Sequence, residues 1–323
     1  MAGDRAEFGP YLLLNPRRDL GELAFQRLGA ARLGLVLRLE LHQRIDDPDD
    51  YLDADWDQTD HAVFHGGDAG QELASLVSLA LGVRLRASGI SREFDPDGDP
   101  RGYPHGFDEQ VPYLPPPYRD LILPYTASDS ARLDTCRQLL LAYPSLSAAQ
   151  ARALVRAARS YQEGLWIADT DPRQAWLRLV GAVEAAAQQW YRDQGQVGGA
   201  TKKLGATKKF VNFVMTFQPE PPQSRPRSRR LNWSQMPEHV KVIYDKRSRD
   251  LHDGIPFPLP MCQPPYRSAR GIASEVPDLP PVTAWTLADA PMLLQTFEYI
   301  VRNALHAWWG TLAPAREQIA PSS

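Results

Sequence analysis

Apolar residues recur at steps of three and four through most of the chain beyond position 147. Leu154, Ala158, Tyr161 and Leu165 form one series, and Trp176, Val180, Val183, Ala187 and Trp190 a second. Phe210, Phe213, Val214 and Phe217 make a shorter third, and Val240, Ile243, Tyr244 and Leu251 a fourth, with Arg247 in step. Leu293, Phe297, Ile300, Val301, Leu305 and Trp308 close the set. This period puts each series on one stripe of a helix, and a stripe that apolar must face another element. The boundaries agree. Ser147 can cap the first helix, and Asp171-Pro172 is a cap followed by a proline at the first helical position. Ser234 can cap the fourth, with Pro237 in its first turn, and Asp253-Gly254 then Pro256 stops it. The pattern predicts an antiparallel helical bundle over residues 127–316.

The first 110 residues read differently. Tyr11–Leu14, Leu35–Leu41 and Val83–Arg86 have the short apolar or alternating character of strands. Gly21–Leu33 and Gly70–Leu81 read as short helices, and Asp46–Asp60 and Asp95–Pro100 as loops. Val111–Tyr118, rich in proline, reads as a linker. The expected class is therefore α+β overall but mainly α, with a small mixed domain over residues 1–126 ahead of the bundle.

Length and charge sharpen this. A chain of 323 residues has room for two cores. Two distant cysteines, Cys136 and Cys262, offer no disulfide or zinc framework. The polar start is unlike a signal peptide, and the apolar run Leu73–Val83 is too short for a bilayer, so a reducing cytoplasm and no membrane partner are expected. The net charge of −3 hides an asymmetry: residues 1–110 carry 21 acidic and 11 basic groups, whereas residues 200–252 carry 12 basic and four acidic. The basic set includes Lys202, Lys203, Lys208, Lys209, Lys246 and Arg249, together with Arg225, Arg227, Arg229 and Arg230 in a proline-rich stretch expected to be mobile. Such a cluster suits a polyanion, and equally a solvated loop.

The chemistry concentrates at Arg247-Ser248-Arg249-Asp250-Leu251-His252, at the end of the fourth helix. Histidine moves protons near neutral pH, and arginine grips phosphate with two parallel hydrogen bonds. With 30 Arg and seven His in the chain, about two such pairings arise by chance, so the surrounding residues must carry the signal. On a regular helix five residues correspond to about 140° of rotation. Arg247 and His252 then share a site only if the helix breaks before His252 or a second subunit completes it.

This block resembles the Rx4-6H motif of the HEPN superfamily, and the ApeA-like branch in particular. In both, the motif follows a tyrosine on its helix and leaves through a small turn into Pro256-Phe257-Pro258. Asp169–Pro172, Trp176–Val180, Ala182–Ala185, Phe297–Val301 and Trp308-Trp309 extend the likeness, which spans residues 147–310. It implies an all-α domain that dimerises with motifs facing across the interface. It also implies metal-independent, cofactor-free endoribonuclease activity on RNA, tRNA included, as a toxin-like element of bacterial anti-phage defence. In that reading His252 acts as general base or acid, Arg247 stabilises the charged phosphorane, and Ser248 and Glu184 orient them. Active relatives often carry Asn, Asp or His directly after the arginine; Ser248 departs from this. The alternative is a non-catalytic module that binds nucleotide or RNA, or dimerises.

Other motifs carry less. The tandem Gly199-Ala-Thr-Lys-Lys and Gly205-Ala-Thr-Lys-Lys lacks the end of a phosphate loop. His61 and His65 have metal-pair spacing without the glutamate of a metalloprotease, which leaves a metal hydrolase as a third, weaker class. Asp95, Asp97 and Asp99 lack the glycine and distal glutamate of a calcium loop.

Overall fold

Helix α3 (Ala148–Ile167) and helix α4 (Pro172–Gly198) form the spine of the protein, joined by only four residues. The short connection forces them antiparallel. Their partners confirm it: Gly164 meets Leu179, Ser160 bonds the carbonyl of Arg178, and Gln150 reaches Asp193. Small residues set the distance. A Cβ on Gly164 would stand 3.2 Å from the Leu179 side chain. Both starts are capped as the sequence implies. The Ser147 side chain accepts from the Gln150 N–H while the Gln150 side chain returns to the Ser147 N–H, and Asp171 accepts from the Gln174 N–H.

The computed structural model describes residues 5–8, 11–14, 36–39, 69–86, 121–123, 134–198, 204–268, 271–279 and 284–312. The described residues are mainly helical. Helices α1 (Ala69–Leu81) and α2 (Asp134–Ala142) precede the spine; α5 (Ala206–Thr216), α6 (Met236–Asp253) and α7 (Leu294–Leu312) follow it. Strands β1 (Arg5–Phe8), β2 (Tyr11–Leu14) and β3 (Val36–Leu39) make an antiparallel sheet in the order β1-β2-β3. In register, Phe8 stands opposite Tyr11 and Tyr11 opposite Leu39. The expected helix at Gly21–Leu33 and the linker at Val111–Tyr118 lie outside the described residues.

One hydrophobic core joins all the helical elements. Trp176 lies at its centre, stacked between Phe257 (ring centroids 5.2 Å apart) and Phe297 (4.8 Å), with its indole N–H donated to the Met261 carbonyl. The Pro-Phe-Pro exit from α6 is therefore pinned to the spine through Phe257. Trp190, Phe213 and Phe217 form a second aromatic group, which Trp308 extends from α7.

Four sequence expectations change. Helix α1 and Ile122-Leu123 belong to the same core as the bundle, so a boundary at 126 cuts through packed structure. Val83–Arg86 is not a strand: Gly82 turns the chain in the left-handed region (φ 68°) after α1. Arg84 then pairs with Asp169, and the Leu85 carbonyl accepts from Gln162. Ser234 does not cap α6. Asn232, two residues earlier, accepts from Ser234 and starts a short 3-10 turn (Trp233–Gln235) that runs into α6. Finally, the arginine-rich segment is tied down rather than loose. Arg225 makes a fork with buried Glu275, whose carboxylate also accepts from the Leu231 N–H, and Arg229 pairs with Asp278.

Candidate functional site

Helix α6 carries the Arg-His motif. Its inner face buries Met236, Val240, Ile243, Tyr244 and Asp250. It runs unbroken through His252 to Asp253 and ends at Gly254, whose φ of 69° is the left-handed stop that glycine adopts freely. The Ile255 N–H closes the end on the Arg249 carbonyl at 3.2 Å. The helix therefore does not bend to bring Arg247 and His252 together. Within one chain they remain on different faces.

Arg247 faces α4. Its Nη2 donates to Glu184 Oε2 at 2.7 Å, and the Tyr244 hydroxyl donates to Glu184 Oε1 at 2.9 Å. The guanidinium also lies over the Tyr244 ring, 5.6 Å from its centroid. Phe210 of α5 packs on the other partner of the group, 5.0 Å from the Tyr244 ring. Arg247 and Glu184 keep 23% and 25% of their side chains exposed, so the pair borders solvent. Burial, and then the hydrogen bond to Glu184, push the Tyr244 phenol up to about 12, which keeps it a neutral donor. The resemblance implies that Glu184 orients the Arg-His pair; its contact is with Arg247. A guanidinium has five N–H donors. Glu184 takes one, and the others have no hydrogen-bond partner among the described residues.

His252 is exposed and has no hydrogen-bond or ion-pair partner among the described residues. Ser248, half-buried, likewise makes no side-chain hydrogen bond there. Between them the structure shows a contact the sequence reading missed. Asp250, 3% exposed, receives Arg173 as a fork: Nε to Oδ2 and Nη2 to Oδ1, each 2.7 Å. This ties the last turn of α6 to the first turn of α4. A signal existed. Arg173 stands in a first turn that has no acidic residue, where the helix dipole disfavours a cation, so it needed a carboxylate partner.

The basic residues divide. Lys202 and Lys203 lie outside the described residues. Lys208 and Arg249 are exposed. Lys209 sits over the Tyr191 ring at 5.9 Å and Lys246 over the Trp285 ring at 5.6 Å. Arg225 and Arg229 are neutralised by carboxylates and leave the set available to a polyanion.

Beside the motif, where the chain leaves α6 and meets the start of α4, lies a cavity of about 560 Å³. Pro172, Arg173, Ile255, Phe257, Leu259, Cys262 and Trp285 line it. Cys262 is buried, and burial, followed by the charges of Asp171 and Asp250, pushes its thiol up to about 12, which disfavours the thiolate. His61 and His65 lie outside the described residues. No helix among the described residues is long and apolar enough to cross a membrane. Comparison with family models, with characterised proteins and with solved structures yields no match.

Proposed function

We propose that the protein is a metal-independent endoribonuclease of HEPN type, α+β overall, with its activity in the helical bundle. The observation that carries this reading is Arg247, anchored by Glu184 beside Tyr244 with donors to spare, on a helix whose far end presents an exposed His252. In the reaction, the ribose 2′-oxygen attacks the adjacent phosphorus and the bond from phosphorus to the 5′-oxygen breaks. The 2′-hydroxyl gives up its proton, and the leaving 5′-oxygen takes one. The products are a cyclic phosphate and a 5′-hydroxyl. His252 moves a proton as base or acid. Arg247 meets the growing negative charge on phosphorus. Glu184 positions Arg247, and Ser248 stands beside it. Since α6 keeps Arg247 and His252 on different faces, the working site combines residues of two subunits in a homodimer. Lys208, Lys209, Lys246 and Arg249 would hold the RNA backbone, together with Lys202 and Lys203, which lie outside the described residues. The setting would be the bacterial cytoplasm, in anti-phage defence.

The test is incubation of purified protein with labelled tRNA and mixed RNA in EDTA. Cleavage leaving cyclic phosphate ends is expected, and His252→Ala should lower the rate by about 10²–10⁴. Loss of activity on chelation, or cleavage by His252→Ala at the wild-type rate, contradicts the mechanism.

A second reading has its own support. Arg247 is already engaged by a carboxylate, as in a purely structural pair. A non-catalytic nucleotide- or RNA-binding or dimerisation module follows. Binding without cleavage by the wild type, unchanged in His252→Ala, would favour it.

A further inference from the structure

We infer that a second cavity, near the C-terminal end of α4, binds a small alkylammonium ion with Asp193 as its counter-ion. It shares no residue with the Arg-His pair. Its volume, about 410 Å³, falls in the range of about 300–1,000 Å³ typical of small-ligand pockets. Gln150 enters from the start of α3, Trp190, Asp193 and Gln194 from α4, and Thr311 from the end of α7. The Asp193 carboxylate is held in place from two sides. Buried Gln189 donates from Nε2 to its Oδ1 at 2.7 Å, and Gln150 donates from Nε2 to its Oδ2 at 3.2 Å. The capping box fixes Gln150 in turn. Ser147 donates its N–H and its hydroxyl to Gln150 Oε1, which leaves the amide nitrogen to face Asp193. A carboxylate accepts about four hydrogen bonds, so about half of the capacity of Asp193 stays open.

Charge decides the kind of occupant. Among the described residues no Lys, Arg or His lines the cavity, and the two partners of Asp193 are neutral amides. Helices α4 and α7 both meet the cavity near their C-terminal ends, and neither carries a basic residue in its last turn. A helix C-terminus bears partial negative charge that favours a cation. The start of α3 carries the opposite sign, but Ser147 caps it from within. A carboxylate without a counter-charge, half-buried beside two such ends, therefore makes the cavity negative. A metal ion fits poorly: calcium takes six to eight oxygens, whereas one carboxylate is present and Gln150 and Gln189 turn their nitrogens toward it. An organic cation suits the walls better. Its N–H groups donate to the open lone pairs of Asp193, and its carbons pack against half-buried Trp190.

The experiment titrates the full chain with n-butylammonium chloride, with 1-butanol as the neutral counterpart and magnesium chloride as the metal, at constant ionic strength. Calorimetry gives affinity, and the side-chain amide resonances of Gln150 and Gln189 give location. Butylammonium should bind and move both resonances, and butanol and magnesium should do neither. Asp193→Asn should weaken butylammonium binding about tenfold or more, the scale of one hydrogen bond to a charged group. Gln194→Lys, at the exposed rim, places a tethered ammonium in the cavity and should block butylammonium while the helical circular dichroism stays unchanged. It keeps the test decisive where Asp193→Asn fails to fold. Butanol binding as tightly as butylammonium would reveal an apolar hole, and magnesium moving the same amides would reveal a metal site; either overturns the inference. So does an absence of butylammonium binding, or wild-type affinity in either folded variant.

Discussion

Replacing Arg225 by alanine should destabilise the fold while leaving the salt dependence of RNA binding unchanged. The Glu275 side chain is only 7% exposed and accepts three N–H groups: Arg225 Nε at 2.7 Å, Arg225 Nη2, and the Leu231 N–H at 2.7 Å. The substitution removes two and leaves a buried carboxylate on one backbone donor. Breaking a buried pair from one side costs about 3–5 kcal/mol. Arg225 is 22% exposed, so water can partly replace it, and the expected loss is nearer about 2–3 kcal/mol. For a chain of 323 residues that is a fall of about 3–4 °C in the unfolding midpoint. Thermal and urea unfolding measure it. Arg225→Leu combined with Glu275→Leu should recover much of the loss, because no charge is then stranded. An unchanged midpoint together with a flattened salt slope would return Arg225 to the nucleic-acid surface and refute the structural role.

Three further outcomes follow from the geometry. Glu184→Gln should let the Tyr244 phenol ionise below its present value of about 12, seen by ultraviolet titration as an earlier rise in phenolate absorbance; an unmoved curve would mean the 2.9 Å bond is not made in solution. Burial lowers His306 to about 4 from 6.5 while it bonds the Leu79 carbonyl, so the stability it contributes is intact above about pH 6.5 and is lost as pH falls towards 4. That loss is about 3 kcal/mol, and His306→Asn should flatten this part of the urea midpoint against pH; the same slope in both proteins contradicts it. Gly82→Ala should cost about 1–3 kcal/mol, since φ is 68° and a Cβ would stand 2.8 Å from Arg302 Cδ; a midpoint equal to wild type would show that the turn re-forms without strain.

Local signals were legible in the chain, and long-range pairings were not. Ser147 with Gln150 and Asp171 with Pro172 announce helix starts because a cap is made within four residues. The stop at Gly254 and the strand Tyr11–Leu14 were readable for the same reason. Ser234 misled because Asn232, an equally good capping residue, stands two positions before it and wins the N–H. Val83–Arg86 has strand-like composition, but its partners are Asp169 and Gln162, far along the chain. The site divides likewise. The helical period puts Glu184 in the spine and Arg247 on α6, but only the resemblance, not the period, points to their meeting. The Arg173–Asp250 and Arg225–Glu275 forks join residues 77 and 50 positions apart, and no periodicity reports such a distance.

Complementation between inactive subunits tests the composite site most directly. Arg247→Ala and His252→Ala proteins, each silent alone, are mixed under conditions that exchange subunits and assayed for RNA cleavage in EDTA. Random exchange makes half the dimers mixed, each with one intact site of two, so activity should return to about a quarter of wild type. Fully active wild-type protein that is monomeric by light scattering, or mixtures as silent as their components, would contradict the account.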